Sequence, residues 1–102
     1  MGKTFLYTEV QADVPFEEFD WPQVNAGLKT VPGLIRKTWL SAIGTHTLGG
    51  FYEFDSVENA LAFAQGPFAE EARAAGAAAT TRLFDGDIVK DASLDLGSPY
   101  YD

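Results

Sequence analysis

Leu48-Gly49-Gly50-Phe51-Tyr52-Glu53-Phe54-Asp55 decides the fold. The aromatic run over 48–54 reads as a strand. Asp55, followed three residues later by Glu58, is a capping-box pattern that turns the chain into a helix. Val57, Ala60, Leu61 and Ala64 then recur at helical spacing. Upstream, Gly44-Thr45-His46-Thr47 is loop material joining this strand to another at Leu34–Ser41.

Further toward the N-terminus, Phe5-Leu6-Tyr7-Thr8-Glu9-Val10 is a first strand, broken at Asp13-Val14-Pro15. Asp20 caps a helix with Trp21 and Pro22 in its first turn, running through Val24 and Leu28 to a stop at Val31-Pro32-Gly33. Its start could lie as early as Phe16. Toward the C-terminus, Gly66-Pro67 interrupts the second helix, which resumes over 68–75 and ends at Gly76. A fourth strand over 79–84 closes at Asp85-Gly86, and 91–102 is expected to be an arm without periodicity.

The order strand, helix, strand, strand, helix, strand predicts one α+β domain over 1–102, of the ferredoxin-like β-α-β-β-α-β type. Right-handed crossovers place both helices on one face of a four-stranded antiparallel sheet. The first and third strands carry large apolar groups at adjacent positions, hence on both faces, so the uncovered face calls for a partner. A second copy of the sheet is the simplest cover.

Of the 102 residues, 46% are hydrophobic and 14% aromatic, rich for a chain that buries only a modest share of its surface. Seven basic against fifteen acidic residues give a net charge of −8, which argues against nucleic acid or an anionic membrane as partner. The lack of cysteine removes disulfides, thiolate metal sites and cysteine nucleophiles. With one histidine and no nucleotide loop, no metal, haem or flavin cofactor is expected. No apolar signal region or membrane-length run stands in the sequence, so a cytoplasmic location is expected.

Four segments resemble the YdhR-like monooxygenase family: Pro32-Gly33-Leu34, Lys37-Thr38-Trp39, Gly49-Gly50-Phe51-Tyr52-Glu53-Phe54 and Arg82-Leu83-Phe84-Asp85. The helix start Asn59-Ala60-Leu61-Ala62-Phe63 is similar as well. The likeness runs through residues 4–86. The stretch between Val14 and Pro32, shorter and carrying Trp21-Pro22, departs from it, and so does the tail. The resemblance implies a dimeric α/β barrel, related to antibiotic-biosynthesis monooxygenases, in which two sheets face each other and each protomer keeps a cleft.

Candidate site residues are polar and aromatic groups on the strands. His46 is a general base or an axial haem ligand, or else an exposed turn residue. Trp39 shares a face with Lys37 and Ile35 by alternation, as a flat wall for an aromatic substrate or as packing. With Tyr52 and Phe54 turned to the helices, Phe51 and Glu53 face the uncovered side. There Glu53 is a base, or a salt-bridge partner of Lys37 or Arg82. Arg82 could hold an enolate or phenolate, or be a surface cation. Tyr7 is a substrate contact or core. The expected pocket on the uncovered face is lined by Tyr7, Trp39, Phe51, Glu53 and Arg82, and Tyr100 and Tyr101 act only by folding over it.

Three functions fit these residues. One is a cofactor-independent monooxygenase for a small aromatic, phenolic or polyketide-like substrate. Another is a polyketide-type cyclase or isomerase. The third is a homodimer that binds a small apolar ligand without catalysis.

Overall fold

The structure, a computed structural model, describes residues 2–101. Met1 and Asp102, the two ends of the expected domain, lie outside the described residues. Strand β1 (Thr4–Gln11) leads through a 3-10 turn at Phe16–Glu18 into helix α1 (Trp21–Leu28). Strands β2 (Leu34–Ser41) and β3 (Thr47–Phe54) form the hairpin. Helices α2 (Val57–Gln65) and α3 (Pro67–Ala74), strand β4 (Ala79–Asp85) and a short helix α4 (Lys90–Asp95) complete the chain. The antiparallel sheet has the order β2-β3-β1-β4, as a β-α-β-β-α-β chain requires.

Local chemistry sets the boundaries. The Asp20 carboxylate accepts from the Gln23 N–H at 3.4 Å, starting α1 as its sequence suggested. The cap of α2 lies one residue later than expected: the Ser56 hydroxyl accepts from the Asn59 N–H at 3.1 Å. Asp55 instead accepts from the Asn59 side-chain amide at 2.9 Å. Gly33 sits at φ +79°, and a Cβ there would lie 2.5 Å from the Asp55 carboxylate, so the turn into β2 requires glycine.

One face of the sheet packs on the helices. Leu6, Tyr52 and Phe54 meet Ala60, Phe63 and Ala64 of α2, with Leu28, Val31, Leu34, Phe68 and Leu83 around them. Tyr52 and Phe54 thus face the helices, and Phe51 and Glu53 the other way. A register shift between Leu34 and Arg36 changes the expected alternation in β2. Leu34 opposite Phe54 and Lys37 opposite Tyr52 both turn to the helices although they are three residues apart. The bulge absorbs the odd residue and leaves Ile35 52% exposed, not in line with Lys37 and Trp39.

The C-terminal segment differs most from expectation. Lys90–Asp95 is helical, and the residues after it return across the uncovered face. Tyr101 is buried and donates from its hydroxyl to the Gly86 carbonyl at 2.7 Å. The Tyr100 hydroxyl shares a 3.1 Å hydrogen bond with that of Thr38. Both rings pack on Phe5, at 5.9 and 6.1 Å between centroids, and Tyr100 also meets Phe51 at 5.2 Å.

Candidate functional site

The sheet and helices do not close completely on each other. Between β1–β3 and the helices α1 and α3 lies a cavity of about 890 Å³, within the range of small-molecule sites. Its walls are mostly apolar: Trp39, Tyr52, Phe63 and Phe68 among others. Phe16 and Phe19 pack on Trp39 with ring centroids 5.6 and 5.8 Å away, and Phe19 itself lines the cavity. They belong to the segment between Val14 and Pro32, so the part of the sequence that departs from the resembled family builds one wall. The Trp39 indole N–H donates to Asn25 of α1 at 3.0 Å. That bond fixes the ring and engages its N–H within the protein.

Lys37 supplies the positive charge among the described residues that line this cavity. Its ammonium lies 3.2 Å from the centroid of the Trp39 ring and 4.7 Å from that of Tyr52. No ion pair to Lys37 occurs among the described residues. Desolvation pushes its pKa from 10.5 down to about 8, against the opposing pull of the Glu71 carboxylate. Burial raises the Tyr52 phenol to about 12, against a hydrogen bond with Thr8 that lowers it and with a smaller push from Glu71, so it stays protonated. Gly50, opposite Trp39 in the register, makes room: a Cβ there would stand 2.7 Å from Lys37 Cε and 2.8 Å from the Tyr52 ring. A cation held between aromatic faces, beside a phenol that keeps its proton, can stabilise an anionic oxygen in an apolar setting.

The residues expected to share one pocket divide between the two faces. Tyr7, Phe51 and Arg82 form one row on the uncovered face, and Glu53 lies in the next with Phe5. Trp39, opposite Gly50, lines the cavity on the helix side. The five therefore do not line a common site, because the β2 register places Thr38, not Trp39, across from Phe51.

Glu53 is 3% exposed and forms ion pairs with Lys3 and with Arg36, the latter at 3.0 Å, rather than with Lys37 or Arg82. These two cations lie against the Tyr101 and Tyr100 rings. The carboxylate thus anchors the ground beneath the arm. Tyr7 donates to Glu9, and that bond is the main cause of its raised pKa. Both line a smaller hollow of about 260 Å³ near Leu40 and Thr47. Arg82 is exposed on β4, and His46 is exposed in the hairpin loop, its carbonyl accepting from Ala12 N–H at 2.8 Å. No cluster of three or more His, Asp or Glu suited to a metal occurs among the described residues. None of their helices is long and apolar enough to cross a membrane.

Sequence reasoning set Lys37 beside Trp39 but did not place it in a cavity between aromatic rings. Its alternation with Trp39, at the strand face opposite Glu53, is the signal that could have marked it. No protein-family model matches the chain, and no curated protein does.

Proposed function

We propose that the chain is a cofactor-independent monooxygenase that binds a small phenolic or enolic aromatic compound in the cavity between sheet and helices. The observation that carries this reading is the Lys37 ammonium, unpaired by any carboxylate among the described residues and set between Trp39 and Tyr52 in an apolar cavity. The resemblance to the YdhR-like family supports the same reaction class. At neutral pH a pKa of about 8 leaves Lys37 mostly charged, so it favours the anionic form of a bound phenol or enol. Above that pH the neutral amine can itself accept the proton.

A hydroxylated anthrone illustrates the balance. Loss of a proton from its ring CH2 gives a carbanion conjugated to an oxygen, which Lys37 holds. One electron passes to dioxygen, the radical pair closes to a hydroperoxide, and loss of water leaves a carbonyl. The carbon gives up four electrons and dioxygen takes four, with one oxygen in the product and one in water. The chain supplies binding, charge and an apolar setting.

The assembly belongs to the same proposal. Leu40 and Phe84 are 38% and 49% exposed on the face that the arm leaves open, and a second copy of the sheet would cover them as a dimeric α/β barrel. An oxygen electrode tests the reaction. Uptake of one dioxygen per anthrone, lost in Lys37→Met, is the expected result. Binding without uptake would leave a ligand-binding dimer, and a product isomeric with its substrate would mark a cyclase or isomerase.

A further inference from the structure

We infer that Lys37 is a reactive amine that forms an imine with aromatic aldehydes and ketones entering the cavity between sheet and helices. The inference rests on the reading that this cavity admits aromatic guests. The geometry is specific to Lys37 among the lysines of the chain. Lys3 is paired with Glu53, and Lys29 and Lys90 are exposed on the surface. Only Lys37 lines the cavity, and Trp39 and Tyr52 hold its amine where a flat ring can slide in alongside. Gly50 keeps open the space that its Cε occupies.

A desolvated lysine is a nucleophile near neutral pH because part of it is neutral there, and the fall of its pKa to about 8 provides that fraction. The neutral nitrogen adds to the carbonyl carbon, a C–N bond forms and the C–O bond breaks. Oxygen departs as water with both amine hydrogens. No oxidant or reductant enters. The other titratable groups lining the cavity are Asp13, Tyr52 and Glu71. Tyr52, raised to about 12, remains protonated and can donate to the departing oxygen.

The test is reductive trapping of the intact chain with 4-hydroxybenzaldehyde and cyanoborohydride, whose hydride fixes the imine as a secondary amine. Peptide mass mapping then gives the rate at each lysine. The expected result is labelling of Lys37 at least about tenfold faster than Lys29 and Lys90, rising with pH to a midpoint near 8. Prior addition of 4-hydroxytoluene, which has the same ring and hydroxyl as the aldehyde but no carbonyl, should slow Lys37 alone. Labelling of Lys37 no faster than of the surface lysines, or undiminished by the competitor, overturns the inference. Oxygen uptake without selective trapping would overturn the imine and leave the monooxygenase reading intact. Selective trapping without oxygen uptake does the reverse.

Discussion

Lys37 is held by opposed effects: desolvation disfavours its charge, while two aromatic faces and the Glu71 carboxylate favour it. Desolvation wins, which has a consequence for stability. The folded-state pKa, about 8, lies below the ordinary 10.5, so between those values the unfolded chain binds more protons than the folded one. This group therefore makes the fold more stable as pH rises from 8 to 10.5, and exerts its full penalty below 8. Lys37→Met should stabilise the chain by about 1–2 kcal/mol at pH 7, allowing for solvent screening of a partly exposed amine. The advantage should fade toward pH 10.5, as urea unfolding at a series of pH values would show. Glu53 makes the opposite case. Glu53→Gln leaves Lys3 and Arg36 without their carboxylate and should cost about 1–3 kcal/mol in the same assay. Oxygen uptake per folded molecule should stay unchanged, since Glu53 is on the far side of the sheet from the cavity.

At the scale of elements, hydrophobic alternation and helical spacing made the four strands and the main helices legible. Phe51-Tyr52-Glu53-Phe54 even gave the correct faces for β3. The site was less legible, for two physical reasons. Alternation cannot be counted through a bulge, and the shift at Ile35 changes which β2 residues share a face. A cavity also depends on how far the helices stand from the sheet, which Phe16, Phe19 and Asn25 decide through contacts distant in sequence from Trp39. The arm was expected, but its helix escaped notice because α4 has no buried residue to set a period, and the arm's anchors are two tyrosines at the end of the chain. Those anchors can be tested. Tyr101→Ala removes a buried ring and its bond to the Gly86 carbonyl, and should cost about 2–4 kcal/mol. Tyr101→Phe, which keeps the ring, should cost about 1 kcal/mol.

On the whole-molecule scale, the sheet separates two surfaces. Its helix face bounds a cavity with one cation, Lys37, among the described residues at its wall. Its other face is covered by the arm at the end of Phe5 and open at the other around Tyr7 and Leu40, with Phe84 exposed on the edge strand beside the arm. The proposed division of labour gives chemistry to the first and self-association to the second. Light scattering at micromolar concentration should accordingly give about twice the 11.1 kDa chain mass. The central claim is that the guest binds on the helix side, and nuclear magnetic resonance with a hydroxylated anthraquinone, an unreactive relative of the anthrone used to illustrate the proposed reaction, tests it most directly. The account predicts shifts on binding at the Trp39 indole N–H, the Lys37 side chain and Tyr52, with Tyr7 and Arg82 unmoved. Shifts confined to Tyr7, Leu40 and Thr47, with Trp39 and Lys37 unchanged at saturation, would contradict it.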